Sequence, residues 1–450
     1  MKLIKIKDNS FRASHEFNEI PKIISSILNK TVSELKDTDV FVFPNSLKEM
    51  EGMTKDQMIL NIVNQSYHSG NIMGFLGFGE EHLIIESRFS EGPHDYFFQY
   101  LIENVLKIPY VIDLNTIIDK ENKIISLFIF IFPYYLRKAM RKGLFKQYVR
   151  NEYNNQSVKG TIDIPRHIKK NTPFVGNIAY SLREFSYDND MLQLIRHTIE
   201  FIKKRKEGTR VLSTVRNEVK KVYEVTQSYN HMDRNKVIML NQQRPIRHAY
   251  YKEYRELQKL CLTILQRHKH YMGTGPEKIN GILFDGAWLW EEYIDTLVND
   301  AFYHPKNKGG TGAQKLFSRD EGQKVGLIYP DFISRNQEHP IIGDAKYKPV
   351  QNIRNKDYLQ ILAYMFRFDA KIGCYFYPNH STADNEVLYL NQGLTYEKNE
   401  QKRENIKVIK LGLKIPQNVE DYQDFTEKMK NPRNNFSAKY NFFIKLKIGS

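Results

Sequence analysis

The stretch Leu327–Val350, LIYPDFISRNQEHPIIGDAKYKPV, decides how the rest of the chain is read. Two apolar runs flank a polar turn, and this spacing predicts two neighbouring strands. The first run has Asp331 at its end; the second carries Asp344 and Lys346. Side chains alternate along a strand, so Asp344 and Lys346 fall on one face and Ala345 on the other. If the two runs pair, Asp331 approaches Asp344. Two adjacent carboxylates repel unless a cation lies between them. A hard divalent ion accepts such oxygens and keeps positions open for water and phosphate. A neighbouring lysine can orient or deprotonate an attacking water and stabilise charge on the phosphate. Together these groups are the minimum for metal-assisted phosphodiester hydrolysis. The bare pattern is also met as solvated strand-end residues, so its flanks decide its weight.

Upstream, GILFDGAWLWEEYIDTLVNDAF (Gly281–Phe302) predicts a helix with Leu289, Tyr293 and Leu297 on one face. Glu291, near its start, is placed to add a third carboxylate. Downstream, RNKDYLQILAYMFRF (Arg354–Phe368) predicts another helix, and Gln360 is placed for its amide to meet the lysine, the water or a phosphate. The plainer readings are an exposed helical acid and a helix-face amide.

The chain has 450 residues, enough for two or three domains. Its 41% hydrophobic and 26% charged residues are those of a soluble globular protein. The net charge of +15 suggests a polyanionic partner, nucleic acid before an anionic membrane; a generally lysine-rich proteome is the plain alternative. Cys261 and Cys374 are far apart, which argues against a disulfide framework or a zinc site and fits a reducing cytoplasm. The opening MKLIKIKDNSFRASHEF lacks the apolar core of a signal peptide. The most apolar run, IISLFIFIFPYYL (Ile124–Leu136), is shorter than a bilayer span and contains Pro133, so it predicts a buried core segment and no membrane partner.

The first part of the chain reads as mixed structure. GFLGFGEEHLIIESRFS (Gly74–Ser90) has the glycine-punctuated runs of strands and turns, and Phe97, Leu101, Val105 and Ile108 then recur at helical spacing. SVKGTIDIPRHI reads as a strand-like piece ending at Pro165. From Asp188 to about Lys221 the pattern is helical and basic, with Gly208 expected to break it into two helices. QRHKHY (Gln266–Tyr271) has no metal-site spacing and reads as surface. MGTGPEKING (Met272–Gly281) suggests a boundary.

The order helix, strand with acid, strand with acid-x-lysine, helix with glutamine resembles the PD-(D/E)xK nuclease fold. YPDF supplies the PD and GDAKYK the D-x-K. FDGAWLWEEYI, YPDFI, IIGDAKYKPV and KDYLQILAYMF together resemble the McrC family, the nuclease subunit of McrBC-type restriction systems. GLFKQYVRNEYNNQSVKGTIDIPRHI and REFSYDNDMLQLIRHTI are similar to that family's middle region, and GFLGFGEEHLIIESRFSEGPHDYFFQYLIENVL to its LlaJI-type branch. The resemblance runs from about Gly74 to the Cys374 region.

The resemblance implies that Asp331, Asp344 and Lys346 are catalytic, that Glu291 is the helical acid, and that Gln360 is the glutamine of the following helix. Mg²⁺ would be held by Asp331 and Asp344, with Glu291 contributing directly or through water. One departure is the helix start, where the family has a Met-containing FDM and this chain has FDGAW with its acid kept. The implied fold class is α+β: a β-rich N-terminal domain (1–120) that contacts a motor, a mostly helical basic middle region (121–275), and a C-terminal PD-(D/E)xK domain (276–450) with a mixed central sheet flanked by helices. The implied partners are double-stranded DNA and an McrB-like AAA+ GTPase hexamer, which this chain would activate. The sequence has no G-x-x-x-x-G-K-[ST] loop, so nucleotide hydrolysis must come from another chain. Two other readings stay open: a catalytically idle DNA-binding activator of the motor, and a stand-alone repair-type nuclease.

Overall fold

The computed structural model describes residues 2–35, 38–44, 58–107, 120–205, 208–270, 278–305, 307, 312–320, 322–380, 386–393 and 401–445. The fold is mixed α and β. Residues 1–107 and 276–450, divided in the sequence reading between an N-terminal and a nuclease domain, form one compact unit, and most of the intervening residues form another. The suggested boundary segment lies largely outside the described residues, as do the side chains of much of QRHKHY.

The first unit holds two large sheets. One has five strands: β1 (Lys2–Lys7), β7 (Glu81–Glu86), β6 (Ile72–Phe78), β11 (Asn280–Asp285) and β3 (Asp39–Phe43), in that order. β11 lies antiparallel to β6 and parallel to β3, so a strand far along the chain completes a sheet begun at the N-terminus. Strands β6, β11 and β3 are apolar on both faces because both are covered. Val42, Leu76, Leu83 and Leu283 pack with Ile23 and Ile27 of α1 (Pro21–Ile27), while Phe75 and Phe284 meet Phe98 of α2 (Tyr96–Leu106) at 6.2 and 5.5 Å. A small sheet of β2 (Phe11–Ala13), β5 (Ser66–Ser69) and β4 (Leu60–Val63) completes this part.

The second sheet runs β12 (Phe302–Tyr303), β15 (Phe332–Ser334), β16 (Ile341–Ala345), β17 (Ile372–Asn379), β19 (Gln401–Lys414) and β18 (Glu386–Gln392). β16, β17 and β19 are parallel, and the other pairings are antiparallel. Strand alternation divides its side chains between two layers. Ile342, Tyr375 and Tyr377 pack under α11 (Asn355–Arg367). Phe376 points the other way, with its ring 5.7 Å from Phe436 of α12 (Tyr422–Lys445). On that side Trp290 of α10 (Gly286–Val298) donates to the Phe376 carbonyl at 3.0 Å.

The opening stretch departs from the expected plain hairpin. β14 (Lys324–Ile328) pairs with β13 (Gln314–Ser318) in a separate ribbon, and the chain re-enters the main sheet only at Phe332. Asp331 therefore precedes a short strand instead of ending a long one. Pro330 supplies the interruption, since it has no N–H for a ladder, and its carbonyl accepts from the buried Asn307 side chain at 2.9 Å. Likewise GILFD at the start of the predicted helix is strand β11, and Asp285 caps α10 by accepting from the backbone of Ala287 and Trp288 at 2.8 and 3.1 Å.

The second unit is helical with one ribbon. α3 (Lys120–Met140) contains the apolar run, whose residues Leu127–Phe132 are buried; among the described residues no helix is long and apolar enough to cross a membrane. It packs on α9 (Lys252–His270), and α5 (Asp190–Lys203) packs on α8 (Arg234–Gln243) and α9. The chain breaks at Gly208 and again at Thr214, giving α6 (Gly208–Ser213) and α7 (Arg216–Val225), so the basic segment makes three helices where two were expected. β8 (Gln147–Asn155), β10 (Ile178–Ser186) and the two-residue β9 (Thr161–Ile162) form the ribbon. The expected strand to Pro165 is cut short because Asp163 caps α4 (Ile164–Lys170), accepting from Arg166 N at 3.2 Å. Proline in a first helical turn has no N–H to waste.

Candidate active site

β16 places Asp344 and Ile342 on the face covered by α11. Gly343, between them, faces the opposite layer; a Cβ there would meet the Phe376 ring at 2.7 Å, so only glycine lets this strand lie so close. Asp344 is 2% exposed. Beyond the strand end, Lys346 N donates to the Phe376 carbonyl at 2.8 Å, the same oxygen that Trp290 uses. That bond carries the β16–β17 ladder one residue further and fixes the lysine backbone.

Four of the five predicted side chains meet here. Lys346 Nζ is 2.6 Å from Asp344 Oδ2 and donates to Gln360 Oε1 at 3.1 Å. Asp331 Oδ2 accepts the backbone N–H of Ala345 at 2.9 Å, which sets its carboxylate beside Asp344. Gln360 is oriented in turn, donating to the Tyr364 hydroxyl at 2.6 Å. Burial drives the Asp344 carboxyl up, against the pull of Lys346 and with help from the Asp331 charge, to about 8. Burial works against the Lys346 ammonium, but Asp344, Asp331 and Asp357 outweigh it and hold this group well above the usual lysine range. Lys346 is thus a charged donor, suited to holding a water or a phosphate oxygen and unsuited to taking a proton.

Glu291 stands apart from this cluster. It is buried on α10, with Oε1 3.7 Å from His304 Nε2. His304 Nδ1 donates to the Asp331 carbonyl at 2.9 Å, and its ring stacks on Phe332 at 5.1 Å. Burial pulls the imidazole down, but Glu292, Glu291 and the Asp331 carbonyl more than offset this and raise it to about 9. His304 is therefore an imidazolium linking the helical acids to the backbone of Asp331. Among the described residues no three His, Cys, Asp or Glu side chains are gathered closely enough to hold a metal. The neighbouring carboxylates of Asp331 and Asp344 are of the oxygen-donor type that a hard divalent ion accepts, with positions left over for water.

Sequence reasoning missed four residues. His304 and Asn307 hold the carbonyls of Asp331 and Pro330 from one short segment. Asp357 accepts from Lys348 Nζ at 2.7 Å and lies 3.6 Å from Lys346 Nζ. The available signal was spacing: Asp357, Gln360 and Tyr364 stand at i, i+3 and i+7, one face of α11. The departure at the helix start also has a packing reason. A Cβ on Gly286 would meet the Tyr347 ring at 2.8 Å, and Tyr347 is boxed in by its hydrogen bond to Ser87 Oγ at 2.6 Å and by Arg88 over its face. A bulkier residue at 286 would press on the neighbour of Lys346.

No curated protein matches the chain. Two solved structures from Thermococcus gammatolerans are similar to it. One, a refined half-complex from a tetradecameric assembly of McrB AAA+ hexamers with bound McrC, is 14% identical, with 96% of this chain and 100% of that chain covered and a TM-score of 0.47. The other, a cryo-EM structure of the McrBC complex, is 13% identical, with 67% of this chain and 89% of that chain covered and a TM-score of 0.31. A family model described as McrBC 5-methylcytosine restriction system component matches residues 68–378. That span is more than half of the chain and takes in Glu291, Asp331, Asp344, Lys346 and Gln360, and the protein belongs to this McrBC family.

Proposed function

We propose that the chain is the McrC-like, Mg²⁺-dependent endonuclease subunit of a restriction complex, cutting double-stranded DNA and both depending on and stimulating an AAA+ GTPase partner. The observation that carries this reading is the meeting of the half-buried Asp331 and the buried Asp344 with the Lys346–Gln360 pair. Asp331 and Asp344 would hold Mg²⁺, which when bound supplies Lewis acidity at the phosphate and an acidified water. Lys346, kept protonated, directs its N–H bonds at the attacking water or a phosphate oxygen. Gln360 and Asp357 hold that ammonium in place, and Tyr364 fixes the Gln360 amide. His304 fixes the backbone of Asp331. The partner is inferred from membership of a two-component system and from the missing phosphate-binding loop.

Plasmid cleavage, measured with and without the AAA+ protein encoded beside this chain, tests the reading. Cutting should require Mg²⁺, GTP and the partner, and should vanish in Asp344→Ala. Robust cutting by the chain alone would favour a stand-alone repair nuclease. Stimulated GTP hydrolysis without any cutting would favour an idle activator.

A further inference from the structure

Lys346 lies just past the end of β16, and the chain turns sharply at the next residue. Lys348 N donates to the Lys346 carbonyl at 2.9 Å, closing a three-residue turn with Tyr347 at its centre. The lysines on either side of the turn come together at Asp357, whose carboxylate lies 3.6 Å from Lys346 Nζ and 2.7 Å from Lys348 Nζ. Alternation sends the Tyr347 ring to the opposite face, away from Asp344. The seat of that ring therefore sets the direction in which Lys346 leaves the sheet.

The ring is buried in a socket made by residues from the start of the chain. Its O–H donates to Met73 Sδ at 3.2 Å, so Ser87, 260 residues earlier, is the donor in the 2.6 Å bond between the two hydroxyls. Ser87 is itself held on both sides: its Oγ accepts from Phe89 N at 3.1 Å, and its backbone N–H donates to the buried Asp95 at 2.5 Å. The Arg88 guanidinium covers the ring 4.9 Å from its centroid. Arg88 is locked in turn by the buried Asp8, which accepts from its backbone N–H at 2.6 Å and from Nε at 3.0 Å. Burying a hydroxyl and an ion pair adds little stability over apolar groups of the same shape. A phenylalanine in an apolar socket would fill this space as well. The polar socket adds direction, because one phenol oxygen must meet Ser87 and Met73 at once.

We infer that Tyr347 is the positioning residue for Lys346, and that its socket of Met73, Ser87 and Arg88 ties the first sheet to the carboxylate site. Through the turn, the socket aims the ammonium at Asp344 and Gln360. The same segment holds the start of α10, since the Asn71 side chain accepts from Arg88 while its carbonyl accepts from Gly286 N at 2.8 Å. Residues from the N-terminal part of the chain thus align both the lysine and the helix that bears Glu291. In its effect on cutting this inference rests on the endonuclease reading; in the placement of Lys346 it does not.

The test removes the bond between the hydroxyls from either side, with Tyr347→Phe and Ser87→Ala, and reads Lys346 directly. Brief acylation of the full chain by an amine-reactive ester, followed by digestion and mass spectrometry, gives the reactivity of Lys346 relative to the exposed Lys324. Each variant should raise Lys346 labelling roughly three- to ten-fold, the equivalent of one buried hydrogen bond. The double variant should do no more than the larger single one, because both remove the same bond. Single-turnover cleavage with the AAA+ partner, at saturating DNA and Mg²⁺, should fall by a similar factor while DNA affinity in EDTA is unchanged. Ile85→Val, in the strand leading to Ser87, controls for plain loss of packing. It should lower the Tm and leave both readings at their wild-type values. Wild-type labelling of Lys346 in both hydroxyl variants overturns the inference. So does an equal rise in Ile85→Val, and so does unchanged cleavage beside raised labelling. If the wild type itself does not cut, the endonuclease reading fails and the labelling alone decides the inference.

Discussion

The Asp331 carboxylate accepts the backbone N–H of Ala345 at 2.9 Å, so a side chain from before one strand is anchored beside Asp344 on the next. The anchoring brings a half-buried carboxylate against the buried Asp344, with Lys346 as the near cation. The two ends of the Asp344–Lys346 pair then behave differently when removed. Asp344→Asn leaves Lys346 with Gln360 at 3.1 Å and Asp357 at 3.6 Å, so the variant should fold with a Tm within a few degrees of wild type. Lys346→Met leaves Asp344 facing Asp331 without the cation that pulls its pKa down, so its carboxyl keeps its proton to a higher pH than in the wild type. A carboxyl with its folded pKa raised stabilises fully below its ordinary value, and this stability is lost as pH rises through the folded value. With the Asp344 carboxyl already at about 8 in the wild type, the Tm gap between Lys346→Met and wild type should stay constant below that value and widen as pH rises through it, by at most about 1.4 kcal/mol per pH unit in stability. Calorimetry in EDTA checks this, and a gap that stays constant through that value would contradict it.

His304 touches no carboxylate of the Asp331–Asp344 pair, yet it holds the Asp331 carbonyl. His304→Phe keeps a ring on Phe332 but loses the Nδ1 donor. We expect a drop in single-turnover cleavage of about ten-fold or more, with a stability cost of roughly 1–3 kcal/mol for the orphaned carbonyl. His304→Asn can present an amide N–H in nearly the same place and should recover much of the rate. Equal rates for the two variants would mean that the donor does not matter.

Glu291 lies beside His304 instead of with the aspartates. Glu291→Ala should therefore damage cleavage less than Asp344→Ala, because an acid acting through water can be partly replaced by water. Raising Mg²⁺ should narrow the deficit. The same loss at every Mg²⁺ concentration would make Glu291 a direct ligand.

The Leu327–Val350 stretch was legible because its chemistry depends on strand alternation and near-neighbour pairing, both readable from spacing. Lys346 meeting Gln360 followed from the same logic one helix later. What spacing cannot carry is contact between distant segments. Nothing in GILFD announces that its strand lies between β6 and β3, since a short apolar run satisfies strand or buried helix equally. His304 and Asn307 were invisible for a related reason: their partners are backbone carbonyls, which leave no mark in sequence. The ribbon inside the helical unit was masked by its own surface, because its outward residues are as aromatic and basic as the helices around it.

Sharing of β11 has a consequence for truncation. Its neighbours β3 and β6 both come from the first 107 residues, and its last residue, Asp285, caps the helix that bears Glu291. Deleting residues 1–107 strips both neighbours and exposes Leu283 and Phe284, each at most 1% exposed in the fold. Losing that burial costs about 1.5–3 kcal/mol per side chain. The remaining fragment should be aggregation-prone and quickly proteolysed, whereas the full chain resists. A monomeric, protease-resistant fragment starting near residue 276 would show that the second sheet stands alone.

The last prediction concerns His197 on α5. The residue is fully buried, neither ring nitrogen has a hydrogen-bond partner among the described residues, and the ring centroid lies 4.7 Å from that of Tyr229. Burial lowers its pKa to about 4, the nearby Arg234 and Arg196 charges adding to the effect and Asp233 and Glu200 opposing it. A base with its pKa depressed by folding stabilises fully above its ordinary value of about 6.5, and that contribution is lost as pH falls toward the folded value. Between pH 6.5 and 4 the helical unit should lose at most about 1.4 kcal/mol per pH unit through this one ring. His197→Phe removes the titration while keeping an aromatic against Tyr229. Urea unfolding at pH 7.5 and pH 5 should show the wild type losing more stability than the variant over that interval. Parallel losses would mean that His197 gains its proton without unfolding the helices around it.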